Sequence, residues 1–172
     1  LVNTQPDIMK RSGYSQFDIM QRIYIKTGKT LHDINFQYSE SSPVNRYDRL
    51  SEISSSSQLL KFAEWQYGPQ KRLLAAYTTS TNLYALWADH VRCILSYQNI
   101  DQDRISRAFK SSKRISQMED VDVLALNVDI NKNIFQHHEI RYGMELTFNN
   151  VQSTANSFDF NTGIYSSAKT RY

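Results

Sequence analysis

This sequence predicts an all-β fold, an antiparallel meander of about six long strands. Three observations lead there. The first is alternation: Glu139-Ile-Arg-Tyr-Gly-Met-Glu-Leu-Thr-Phe-Asn149 sets Ile140, Tyr142, Met144, Leu146 and Phe148 on one side. Glu139, Arg141, Gly143, Glu145, Thr147 and Asn149 fall on the other, so an extended strand here has one apolar and one polar face. The second is length. Strands of soluble sheets run about five or six residues, whereas strands that cross a bilayer need roughly 9–11, and most of the alternating segments reach the longer value. The third is the connections, which alternate between short and long as the turns and loops of an outer-membrane barrel do.

The elements follow in order. In the predicted strand 14–26, Phe17, Ile19, Ile23 and Ile25 share a parity broken by Gln21, with Asp18, Met20, Arg22, Tyr24 and Lys26 opposite. In 33–39, Ile34, Phe36 and Tyr38 alternate with Asp33, Asn35, Gln37 and Ser39. The strand 71–79 is the weaker case, because Leu74 and Ala76 interrupt the parity of Leu73, Ala75 and Tyr77. In 89–99, Val91, Cys93, Leu95 and Tyr97 alternate with His90, Arg92, Ser96 and Gln98, and Ile94 intrudes. In 119–130, Leu124, Leu126, Val128 and Ile130 alternate with Ala125, Asn127 and Asp129, and 138–149 is the segment already quoted. Short links are expected at Thr27–His32, Ser80–Trp87 and Asn131–His137; long ones at Ser39–Gln70, Asp101–Gln117 and from Asn150 onward. Within the first long loop Ser54–Ser57 reads as flexible chain. Leu59–Tyr67 fits a strand closed by a tight turn at Tyr67–Gln70, but that would put Asp101–Gln117 on the short-turn side. It therefore reads as part of the first long loop, one helical turn with Leu60, Ala63 and Tyr67 on a face. Pro69 lacks a ladder donor, so the next strand is expected to start after it.

Composition narrows the function classes. Eleven Tyr, eight Phe and two Trp suit pleated surfaces and places where one end of a side chain is wet. A net charge of +3 with both signs interspersed gives no nucleic-acid footprint. The single cysteine, Cys93, excludes an internal disulfide and a cysteine-built metal site, and reads as a strand packing residue. No apolar run approaches the roughly 18 residues of a membrane helix. The opening Leu1-Val-Asn-Thr-Gln5 has neither a leader pattern nor an initiator Met, which suggests a mature or excised piece of a longer protein.

Several ordered blocks then share a likeness: Gly13–Asp18, Phe36–Leu50, Phe62–Leu73, Tyr97–Arg107 and Phe148–Ala155, ending in Asn161-Thr-Gly163. Over nearly the whole chain these blocks resemble TonB-dependent outer-membrane receptors. The resemblance implies a segment of a 22-stranded transmembrane β-barrel, taken from its first half, in the outer membrane of a Gram-negative cell. It further implies energised uptake of a scarce cargo such as a ferric siderophore or haem, with TonB acting through a plug. Residues 1–172 would be a partial barrel domain: the sequence shows no plug, no TonB-contacting box and no barrel-closing strand, and Tyr172 ends an apparent loop. Six strands cannot close a membrane barrel, which takes at least about eight. The competing expectation is a soluble or surface β-sheet binding module, an adhesin-like sandwich whose apolar faces form a core.

No constellation supports an enzyme, a cofactor or a metal centre: glycine-rich phosphate loops and nucleophile elbows are missing. His137 and His138 are adjacent, so on a strand they point to opposite faces and do not share a metal. His32 and His90 read as solvated residues, and Glu119, Asp120 and Asp122 as a charged rim. The ligand-binding candidates lie in the external loops. Arg46, Tyr47 and Arg49 combine guanidinium forks with a phenol; Trp65 and Tyr67 share their loop; Arg104 and Arg107 lie in the next. Arginine pairs bidentately with carboxylate or phosphate-like groups and stacks on aromatics, which suits an anionic iron chelate or a haem propionate. A loop network with Asp48 and Glu52 is the simpler expectation for the same charges.

Overall fold

A computed structural model describes residue 7 and residues 12–135 and 138–170. The chain forms an antiparallel sheet of eight strands in meander order. Strand β1 (Gln16–Thr27) turns at Gly28-Lys29 into β2 (Thr30–Ser41). A longer connection carries the two-residue β3 (Val44–Asn45) and a single helical turn, α1 (Tyr47–Leu50). Then come β4 (Phe62–Asn82), β5 (His90–Ala108), β6 (Lys113–Ile134), β7 (His138–Asp159) and the short β8 (Ile164–Ser167). Hydrogen bonding runs β1-β2-β4-β5-β6-β7-β8, and β3 pairs with β4. The sheet is not closed, because β1 and β8 are its two ends.

All six expected strands are present, but four are far longer than the periodicity suggested: β4, β5, β6 and β7 have 21, 19, 22 and 22 residues. The expected long loop Asp101–Gln117 is therefore mostly ladder, with only residues 109–112 between β5 and β6. The chain after Asn150 likewise continues β7 to Asp159. Leu59–Tyr67 is not helical; Phe62 begins β4, and the helical turn of this connection lies at Tyr47–Leu50. Nor does the strand wait for Pro69. The β4–β5 register steps from Tyr67↔Arg104 to Gln70↔Gln102, so an extra β4 residue is accommodated in a bulge at Gly68-Pro69. A bulge is where a strand tolerates a residue without a ladder donor. Gly68 is needed there, since a Cβ would sit 2.3 Å from the Cβ of Asp103.

The register gathers the alternating residues of every strand onto one surface. Directly opposed residues share a face. Phe36, Ala75, Tyr97, Leu124 and Phe148 form one cross-strand row, and Ile23, Ile34, Tyr77, Leu95, Leu126 and Leu146 form the next. Cys93 belongs to this surface, opposite Val128. The reverse face carries Arg22, Asp33, Asn35, Arg92, Asn127, Asp129, Glu145 and Thr147.

This apolar band is inclined to the strands. On β7 it runs from Ile140 to Phe148, and on β1 from Phe17 to Ile25. Pairing through His32, Thr79, Cys93 and Val128 sets Ile25 level with Met144, not Ile140. Pairing through Glu40, Lys71, Asp101 and Asp120 sets Phe17 level with Gln152, not Phe148. The band thus climbs by about 14 Å over strand spacings that add to about 24 Å, a slope of roughly 30°. Its height measured square to that slope is about 24 Å.

Above the band the face that bore it turns polar while the ladder continues, and the reverse face carries one apolar row, Ile100, Val121 and Val151, among polar residues. On the face of Leu124 and Tyr97 the next rows are Asn99 with Asp122 and Asp101 with Asp120. Asn99 Nδ2 donates to Asp120 (2.7 Å) and Asp122 (3.0 Å). Glu119, one residue from Asp120, projects from the reverse face. Tyrosine phenols mark the upper border: Tyr38 donates to Glu40 (2.6 Å), level with Phe17 at the end of the band, and Tyr97 to Asp122 (2.7 Å), one row above Leu124.

Candidate functional site

The bulge at Gly68-Pro69 decides what faces what in the polar extension. Below it, Arg72, Leu74 and Ala76 of β4 lie on the polar face; the extra residue inverts that parity above it. Trp65 and Tyr67 thereby join the face of Arg104 and Ser106, their partners in β5. Residues 42–61 fold over the same place, because β3 pairs Val44 with Tyr67 and Asn45 with Gln66. The Arg46 amide donates to the Trp65 carbonyl (3.1 Å), which anchors the start of α1.

Three guanidiniums surround one indole. Arg46, Arg49 and Arg104 lie 5.3, 5.8 and 5.8 Å from the Trp65 ring centroid. Trp65, at 9% exposure, is the least exposed large apolar side chain among the described residues. Tyr67 meets it edge-on at 5.1 Å, and Arg46 Nη1 donates to the Tyr67 hydroxyl (3.1 Å). Cations are attracted to ring faces, and an indole is the strongest such acceptor.

The charges do not cancel. Arg46 grips Asp48 with a two-point pair, Nε at 2.8 Å and Nη2 at 2.6 Å. Those hydrogen bonds hold the Asp48 carboxyl below its ordinary range and raise Arg46 above its own. Glu52 accepts from Lys61 (2.6 Å) and Arg49 (3.1 Å), which lowers its carboxyl for the same reason. Arg104 has no such partner among the described residues: its Nε is buried without a hydrogen bond. Among the described residues, Arg46, Arg49, Arg104 and Lys61 thus have only Asp48 and Glu52 as ion-pair partners. A donor held dry and unpaired beside an aromatic platform can receive an oxyanion at little reorganisation.

Of the residues singled out in the sequence, Arg46, Arg49, Trp65, Tyr67 and Arg104 come together here. Tyr47 opens α1 and is exposed. Arg107 projects from the opposite face, where it pairs with Glu64 (2.9 Å) and lies 5.7 Å from the Phe160 ring. Arg114, directly across from Arg107, sits over the same ring at 5.6 Å; nothing in its sequence neighbourhood advertised that arrangement.

The histidines are placed as follows. His32 is not a free turn residue but stacks on Tyr77, its Nδ1 lying 2.7 Å from the phenol oxygen. His90 begins β5 and contacts Asn82 (3.0 Å). His138 begins β7, while His137 and Tyr172 lie outside the described residues. No family model, curated protein or solved structure matches the chain.

Proposed function

We propose that this chain is a stretch of wall from a transmembrane β-barrel of the outer membrane, with Ile140–Phe148 and their cross-strand partners facing lipid. The observation that carries this reading is the inclined apolar band. Strands of membrane barrels tilt by about 35–45° and bear an apolar belt about 25 Å tall, bordered by aromatic residues. A slope of roughly 30° and a height of about 24 Å come close to both values. A core-facing sheet of a sandwich has no need of an oblique band. The open edges fit the same account: β1, and β7 below its short pairing with β8 at Asn156–Asp159, would leave unpaired backbone in lipid at several kcal/mol per group and call for further strands on each side.

On this reading the opposite face lines the interior, and the Trp65 cluster stands above the membrane at the mouth. We propose that it receives an anionic cargo, and that the whole protein is a TonB-dependent receptor for a ferric siderophore or haem. The surplus of guanidinium charge and the buried, unpartnered Nε of Arg104 support an anion. The test is growth of a deletion strain on defined iron sources. Loss of growth on one ferric chelate or on haem, restored by the intact gene, supports the reading; unchanged growth on all of them rejects iron uptake. Purification supplies the simpler check: an intact protein that stays monomeric and soluble without detergent is not a membrane barrel.

A further inference from the structure

We infer that the turn between β4 and β5, Leu83–Asp89, is an interfacial anchor whose tip, Leu86-Trp87, inserts into the lipid leaflet at the lower border of the apolar band. The inference rests on the barrel reading above. Leu86 is 99% exposed, the highest value of any large hydrophobic side chain among the described residues, and Trp87 is 55% exposed. Exposed apolar side chains at the tip of a loose loop would mean little. This turn is not loose.

Its backbone closes on itself through Leu83 N–H to the Asp89 carbonyl (2.9 Å) and Ala85 N–H to the Ala88 carbonyl (2.7 Å). Ala88 beneath the tip is fully buried. Side chains from the apolar face then fix its position. Lys132, level with Ile140 at the foot of the band, donates from Nζ to the Ala85 carbonyl (2.8 Å) and to Asp89 Oδ1 (2.9 Å). The Tyr142 hydroxyl, itself in the band, donates to the Trp87 carbonyl. The second Asp89 oxygen accepts from the Asn133 amide (2.8 Å), so the carboxylate is held from both sides. Tyr84 takes a left-handed backbone (φ 54°), an uncommon conformation for a bulky residue that persists only where its surroundings enforce it.

The turn therefore leans sideways from its own strands over β6 and β7, on the lipid side. It presents an indole and an isobutyl group one step below the last apolar row, with a lysine alongside. Tryptophan concentrates at membrane–water interfaces because its ring is apolar and its N–H wants a polar partner, and lysine stems cover apolar surface while the ammonium stays wet. The occupant is bilayer lipid, since Tyr142 belongs both to the band and to the clamp on this turn.

Depth-resolved quenching tests the inference in the intact protein, reconstituted in phosphatidylcholine vesicles. Leu86→Cys, on a background lacking other cysteines and therefore including Cys93→Ser, carries an environment-sensitive fluorophore. Leu146→Cys reports mid-band, and Lys110→Cys reports the far tip. Vesicles contain lipids brominated either near the headgroup end of the acyl chain or near its methyl end. The expected result is strong quenching at position 86 by headgroup-end bromine and weak quenching by methyl-end bromine, with the opposite preference at 146 and none at 110. Quenching at 146 but not at 86 overturns the anchor and leaves the barrel, pointing instead to water or a protein partner at the turn. Equal or deeper quenching at 86 also overturns the placement at the border. Absence of quenching at both 86 and 146 defeats the barrel reading itself.

Discussion

The same strands make two different walls. In β6, Leu124–Ile130 alternates apolar and polar residues in a row-by-row match with β5 and β7, whereas Lys113–Asp122 carries Arg114, Ser116, Asp120 and Asp122, with Met118 alone apolar among them, on the face that is apolar below. The ladder does not change across that border, and neither does the strand direction. What changes is the solvent each face is built for. Backbone pairing sets how far a strand extends; side-chain alternation sets where, on the proposed barrel reading, its surroundings change from lipid to water. Tyr38 and Tyr97, whose phenols reach up to Glu40 and Asp122, stand on the line between the two.

The largest expected effect breaks that comparison directly. Leu126→Arg, in the middle of the band, should destabilise the intact protein in lipid vesicles by about 2–4 kcal/mol in urea unfolding, while Ser116→Arg on the same face of the extension should change it by about 0–1 kcal/mol. Equal losses would erase the border. A second, somewhat smaller effect probes the interior face. Gly143 opposes Asp129, and a Cβ there would lie 2.1 Å from the Val128 carbonyl oxygen. That contact is with backbone, which cannot rotate away, so Gly143→Ala should shift β6 against β7 and lower stability by about 1–3 kcal/mol in the same assay.

The third contrast separates the two faces of the extension. Arg104→Gln should weaken binding of an anionic ferric chelate about tenfold, roughly 1.4 kcal/mol, with unchanged stability. Arg107→Gln, on the opposite face with Glu64, should leave binding unaltered in the same titration. The smallest effect concerns acid. The Asp48 carboxyl is held below its ordinary value of 3.8 by Arg46. Its pairing is therefore complete above that value and lost as pH falls through the lowered one. Trp65 emission, sensitive to the Arg46 guanidinium above its ring, should stay constant from neutral pH down to about 4 and shift only below. In Asp48→Asn that acid step should disappear.

How much of this was legible in the sequence depends on which wall is considered. The band residues could be named from alternation alone, because one apolar and one wet face impose a period of two. The extensions are hard to see as strands: Asn99–Arg104 holds a single apolar residue, Ile100, and Asn149–Asn156 only Val151 and Ala155, so alternation is too sparse to mark a strand and most of each run reads as loop. Around Trp65 the signal was scrambled. The β4 register shifts between Phe62 and Glu64 and again between Tyr67 and Gln70, and each inverts which parity faces inward. Leu59–Tyr67 consequently fits a strand and a helical turn about equally in sequence, and the expectation that favours the loop with its helical turn is the one the ladder overturns. The residue types of the cluster were still readable as Arg and aromatic. Their assembly, and the exclusion of Arg107 from it, depended on those bulges. The expected link Ser80–Trp87 carries no sign of a built turn beyond Leu83, Tyr84, Leu86 and Trp87, an unusual content for one, and the structure places the turn at residues 83–89.

The central claim is that one face of these strands meets lipid up to a border and water beyond it. Spin labels placed singly along β6 from residue 114 to residue 132, in the intact protein in vesicles, test it most directly through collision with oxygen and with a water-soluble nickel complex. The account predicts that even positions from Leu124 to Ile130 favour oxygen, that odd positions there do not, and that the oxygen preference ends at Asp122. Labels at Leu124, Leu126 and Val128 shielded from both reagents would place the band in a protein core and contradict it.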